Sequence, residues 1–348
     1  MNDTGILEEA YERLHRTGPE FDGWLSNHGP MAVESMVRRG YDRAVHRWLD
    51  SYVGRLDEPP RGTSPIDAEG WRQALGAPDR LGDWLTFFGR EVREQPWRAV
   101  LESWWPRLLP GIAAGATHGV IRTGHAVHAL LRRQDETRLA ELGQALGYWA
   151  ARWQPIAGFG EPSGTAGPES ALAALPRVPD QSKGINHRLE QLAEVAEWGP
   201  ALASLKPAAD AGQARAGLIE LADAATLRYL THAHGSPIML VHAATAPTAV
   251  LRTLPALPAH EWGAGLDAAW ASAAAVTAAY APADAASRRE PPTAPGSAEE
   301  VFDLAVRHGD EHVIKFADTA VDVHRRTGDP AALAAVVRAI SLIEPPSS

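Results

Sequence analysis

Cysteine is absent from this chain of 348 residues. That excludes disulfides, thiolate catalysis, iron–sulfur clusters and Cys-bound zinc, and leaves imidazole, carboxylate and amine groups as metal ligands. Lysine is scarce as well: Lys183, Lys206 and Lys315 stand against thirty arginines. Positive charge is in deficit overall, with a formal net charge of −10 and a pI near 5.8. Phosphate backbones and anionic membranes attract clustered Lys and Arg, so neither nucleic acid nor a membrane is an expected partner, and a neutral, largely apolar small molecule fits better. No apolar run reaches the roughly 18 residues of a membrane span. The opening MNDTGILEEAYERLHRTG is acidic and lacks the apolar core of a signal peptide, which makes the cytoplasm the expected location. There is no Gly-Lys-Ser/Thr phosphate loop, no GxGxxG after a strand, no GxSxG elbow and no HExxH, so nucleotide-fold, serine-hydrolase and zincin readings lack support.

What is present reads as helix. In 6–14, 31–52 and 218–230 apolar residues recur at three- and four-residue steps with charges between them, as an amphipathic helix requires, and no convincing two-residue alternation occurs. Proline and glycine punctuate the chain at 56–65, 155–183 and 281–297, which are expected loops. The Ala-rich stretches between them predict short helices packed through small side chains. The expected fold is all-α: a single domain over 1–348, an array of a dozen or so helices, with flexible loops at 155–183 and 281–297.

Four segments are built around histidines. In SNHGPM, a turn leading into a helix from Met31 places His28 near a helix start, either aimed inward or incidental to a capping turn. In LPGIAAGATHGVIRTGHAV, small residues allow close backbone approach. His118 and His125 share a face there but lie about 10.5 Å apart along a helix, so one can ligate while the other lines the site. Both can equally be hydrogen-bonded core residues. His242 interrupts the apolar run PIMLVHAATAP and must find interior partners, as a metal ligand or by donating to a backbone carbonyl. His232 and His234 sit beside an expected turn, where they can face solvent, and carry less weight. In DEHVIKF, His312 and Lys315 are neighbours on one helix face. A buried lysine, unlike arginine, can lose its proton and act as nucleophile or base, or as an oxygen ligand after carboxylation. Otherwise Lys315 extends to solvent or pairs with Asp318 or Glu311. His308 forms an i, i+4 pair with His312, although Gly309-Asp310 between them reads as a helix start.

Taken in order, SNHGPM, LPGIAAGATHGVIRTGHAV, SPIMLVHAATAPTAVLRTLP and DEHVIKF resemble the signature segments of the questin oxidase-like family, over about residues 20–325. The resemblance implies an oxygenase of secondary metabolism, ring-cleaving in a Baeyer-Villiger-like manner, that acts on an aromatic polyketide or quinone-type compound. It implies a mononuclear non-heme Fe(II) site with ligands His28, His118, His242 and His312, and with Lys315 as a carboxylated lysine. His125 and Lys315 are the expected catalytic residues. Dioxygen is the expected co-substrate, NADPH a candidate reductant and a homodimer a candidate assembly. Trp104 and Trp105 are candidates for stacking on a flat polycycle, or for core packing. Two other readings stay open: a carboxylated-lysine metal hydrolase using Asp310 or Glu311 as acid/base, and a non-catalytic helical binding protein whose histidines are core hydrogen-bonders.

Overall fold

The computed structural model describes residues 5–67, 69–285 and 296–346. Among them seventeen α-helices carry the chain, joined by one antiparallel hairpin of β1 (Glu20–Phe21) and β2 (Leu25–Ser26), with Glu20 opposite Ser26 and Phe21 opposite Leu25. The all-α expectation holds. Two-residue strands are too short to leave an alternating pattern, which is why the hairpin escaped the sequence reading. The helices gather into two compact units, Met1–Pro155 with Arg252–Pro258, and Ile156–Leu251 with Ala259–Ser348.

The first unit contains α1 (Ile6–Leu14), α2 (Gly29–Arg38), α3 (Asp42–Tyr52), α4 (Trp71–Ala74), α5 (Leu81–Glu94), α6 (Trp97–Leu108), α7 (His118–Arg132) and α8 (Glu136–Ala151). The buried stripe of α1, Leu7, Ala10, Tyr11 and Leu14, is the one the periodicity marks, the periodic stretch 31–52 divides between α2 and α3, and α5 buries Leu81, Trp84, Phe88 and Val92. Helix α5 packs on α8, α8 on α7, and α7 on α2. At Gly147 of α8 an added Cβ would lie 3.0 Å from the Leu85 side chain, so the missing side chain sets how closely α5 and α8 approach. Trp84, Phe88 and Trp104 stack and meet edge-on at centroid distances of 4.9 to 5.7 Å, and Trp105 meets Trp149 at 5.6 Å. Trp104 and Trp105 are 4% and 0% exposed. Of their two expected roles, the structure gives them core packing and leaves no face open for a planar substrate.

The second unit contains α9 (Pro168–Ala173), α10 (Ile185–Glu190), α11 (Trp198–Leu202), α12 (Ala211–His232), α13 (Pro237–Thr253), α14 (Trp262–Tyr280), α15 (Ala298–His308), α16 (Glu311–Thr327) and α17 (Pro330–Leu342). Helix α12 packs against α9, α14 and α17, while α15, α16 and α17 pack on one another. The Ala-rich segment forms one 19-residue helix, α14, buried on every side from Gly265 to Tyr280, and not the short helices expected. A helix apolar all round belongs inside a core. Local signals fix the boundaries: Ser297 and Glu300 form a capping box for α15, Gly309 ends it at φ 85°, and Gly328 ends α16 at φ 72°. The stretch 155–183 is irregular apart from α9. Of the expected loop at 281–297, residues 286–295 lie outside the described residues. No helix among the described residues is long and apolar enough to cross a membrane.

One buried ion pair braces the first unit. Arg122 of α7 donates from Nε and a terminal nitrogen to Glu141 of α8 at 2.6 and 2.8 Å, and His15 Nε2 stands 2.7 Å from the same carboxylate. Burial alone would push the Glu141 carboxyl up, but the Arg122 guanidinium overrides it and holds the group below its ordinary value. Removing one partner strands a buried charge, whereas removing both does not. Arg122→Met is expected to cost roughly 3–5 kcal/mol in urea denaturation, and adding Glu141→Leu to restore much of the loss.

Candidate metal-ligating pairs

The hairpin of β1 and β2 delivers the chain to Asn27, and its carboxamide pins the turn that follows. It accepts from the Gly29 amide at 2.9 Å and donates to the Gly18 carbonyl at 3.2 Å. The His28 amide donates to the Tyr52 hydroxyl at 2.6 Å. Pro30 opens the first turn of α2, so the expected turn into a helix is present, with His28 buried at its start.

His118 opens α7 after an unusual approach. Gly115, Ala116 and Thr117 adopt φ of 53°, 57° and 69° in succession, and two of them carry side chains in a region that costs about 1–3 kcal/mol per residue. This turn brings the Gly115 carbonyl against His118 Nδ1. A carbonyl only accepts, so Nδ1 carries the proton and the Nε2 lone pair is the one that can bind a metal. The His28 and His118 rings meet edge-on at 4.4 Å between centroids, with ligand nitrogens within 4.8 Å of each other.

His125, two turns further along α7, is bonded elsewhere. Its Nδ1 lies 2.7 Å from one oxygen of Glu34, and His128 Nδ1 lies 2.7 Å from the other. Burial would push the Glu34 carboxyl up, but the His128 and His125 imidazoles hold it well below the usual carboxylate range. The structure thus joins His125 to a buried carboxylate on α2 that sequence reasoning missed. The i, i+3 spacing of His125 and His128 was the available signal, since two imidazoles on one face suit a shared acid.

In the second unit, His242 of α13 donates from Nδ1 to the Met239 carbonyl at 3.2 Å, which again leaves the Nε2 lone pair for coordination. His312 lies in the first turn of α16, where Asp310 accepts from the His312 and Val313 amides at 2.8 and 3.1 Å. The His242 and His312 rings meet edge-on at 5.4 Å, with ligand nitrogens within 4.8 Å. Donor atoms of Asp310, Glu311 and His312 also lie within 4.8 Å of one another. His308 ends α15 and bonds the Ile343 carbonyl at 3.0 Å, so it shares no helix with His312. His232 and His234, at the end of α12 and in the turn after it, are half-buried and exposed.

Lys315 follows one turn after His312 and is 1% exposed. Burial pushes its ammonium down to about 7, with Glu311 and Asp310 working in the opposite direction. An amine with that pKa is substantially neutral near pH 7, which no arginine would be.

A family model described as questin oxidase-like matches residues 31–320. It spans α2 to α16 and includes His118, His125, His242, His312 and Lys315, while His28 lies just before it. No curated protein sequence matches the chain.

Between about pH 7 and the ordinary lysine value of 10.5, folded Lys315 binds fewer protons than unfolded Lys315, so its burial weakens the fold increasingly as pH falls through that window. Lys315→Met is therefore expected to stabilise metal-free, bicarbonate-free protein by a few kcal/mol below pH 7, and by little above pH 10.5. Urea midpoints across that range check the slope. Gly115→Ala places a Cβ 2.2 Å from the Tyr148 hydroxyl at a positive φ. It is expected to cost about 2–4 kcal/mol and to shift the His118 ring resonances.

Proposed function

Because the chain belongs to the questin oxidase-like family, we propose that it is a metal-dependent oxidase of a quinone-type or aromatic polyketide small molecule, with Fe(II) as the metal and dioxygen as co-substrate. Its ligands are drawn from His28, His118, His242 and His312, as the family resemblance implies, and Lys315 supplies an oxygen ligand as its carbamate. One observation carries this reading. His118 and His242 each commit Nδ1 to a backbone carbonyl of their own segment and so present Nε2, the arrangement that orients a ligating imidazole. The donor set is nitrogen and oxygen without thiolate, which suits a non-heme iron.

The ion would supply redox chemistry toward dioxygen, and the side chains would prepare its surroundings. Burial keeps the Lys315 amine in the neutral form that takes up carbon dioxide, and the resulting anion offsets a divalent charge that imidazoles leave uncompensated. His125, fixed by the ionised Glu34 carboxylate, is placed to hold or pass a proton, with His128 sharing the same carboxylate. NADPH is the reductant where the reaction needs one. The hydrolase reading is weaker, because Asp310, one of its two candidate bases, is engaged in capping α16.

Elemental mass spectrometry on protein purified without chelators is expected to find about one iron per chain, and His242→Ala and His312→Ala each to lose it. Protein that takes up no iron even anaerobically would remove the metal reading. With quinones under air, Lys315→Arg is expected to abolish oxygen uptake and the carbamate signal that wild type shows in carbon-13 NMR after labelled bicarbonate. Unchanged uptake in that variant would take Lys315 out of the mechanism.

A further inference from the structure

Away from the histidine pairs, the second unit holds a cavity of about 610 Å3 along α9 and α12. One of its charged side chains lacks an acidic partner. Arg228 of α12 lines it half-buried, its Nε is enclosed without a hydrogen-bond partner, and no carboxylate among the described residues forms an ion pair with it. Burial also pushes the Arg228 guanidinium below its ordinary value, and none of the carboxylates that line the cavity stands close enough to raise it. A half-buried guanidinium that meets no carboxylate keeps its terminal nitrogens available to a ligand, and an oxyanion is the partner its planar donor fork fits.

The rest of the lining narrows the class of anion. Pro168, Leu172 and Leu227 give the cavity apolar wall, and Ser170 and Thr231 add hydroxyls. His232, one turn beyond Arg228, points Nδ1 toward the Thr231 hydroxyl at 2.7 Å, which leaves Nε2 for other partners. Glu169, Glu220 and Asp223 also line the cavity, and Asp223 is already paired with Arg326. Those carboxylates would repel a phosphate dianion more strongly than a single carboxylate.

We propose that this cavity is a binding site for an apolar organic monocarboxylate, with the ligand's carboxylate against Arg228 and its hydrocarbon body against Pro168, Leu172 and Leu227. The site is independent of any metal at the histidines, so it stands or falls apart from the oxidase reading.

Calorimetry on the full chain with 2-naphthoate, its uncharged counterpart 2-naphthamide, and inorganic phosphate provides the test. The expected result is saturable naphthoate binding, at least tenfold tighter than naphthamide or phosphate. Arg228→Gln is expected to weaken naphthoate at least tenfold while leaving naphthamide unchanged, and Arg228→Lys to retain part of the affinity. Thermal melts of both variants confirm that they fold. Naphthoate that fails to saturate, binds no better than naphthamide, or is indifferent to Arg228→Gln would overturn the proposal. Phosphate binding as tightly as naphthoate would overturn the choice of a monocarboxylate.

Discussion

An imidazole inside a helical interior has two polar nitrogens and few places to satisfy them, because the helix backbone consumes nearly all of its own donors and acceptors. The arrangement of this chain's buried histidines follows from that constraint. His118 and His242 reach carbonyls three residues upstream, His125 and His128 share Glu34, and His15 shares Glu141 with Arg122. The backbone-bonded pair presents Nε2 away from its carbonyl partner, whereas the others are fixed by carboxylates. One residue type thus divides into two bonding arrangements according to whether its partner is a carbonyl or a carboxylate.

Holding imidazoles in these arrangements requires stiff local backbone. Three left-handed residues in succession before α7 are a strained device, and they persist because Tyr148, Trp149 and the helix start determine the turn from several sides. At α16 the solution is cheaper: Asp310 caps the helix and fixes the first turn, so His312 and Lys315 fall on one face. Around them, Ala and Gly at helix interfaces let backbones approach, and the tryptophans fill the volume that small side chains leave open.

Lys315 shows how composition and burial act together. A chain that uses arginine almost everywhere keeps a lysine where the side chain is nearly inaccessible, and burial alone brings the amine near neutrality. Arg228 is the converse case. An arginine stays charged wherever it is put, so its enclosed Nε with no acidic partner calls for an anion from outside the chain.

Helix content, the helix at 6–14 and the helix start at Gly309-Asp310 were legible in the sequence, because periodicity, capping residues and proline act locally. The four histidine segments and the lysine stood out for the same reason: a polar group in an apolar run is visible without coordinates. Partners that lie far along the chain were not legible. That Glu34 serves His125 and His128, that Glu141 serves Arg122 and His15, and that Trp104 and Trp105 face a core and not a substrate depend on which helices pack together. Ninety-one residues separate Glu34 from His125, and no local pattern encodes such a contact. The sequence by itself determined the helices and the ionisable groups buried among them, and only the tertiary structure decided what each group bonds to, since hydrogen bonds require ångström proximity that chain order does not supply.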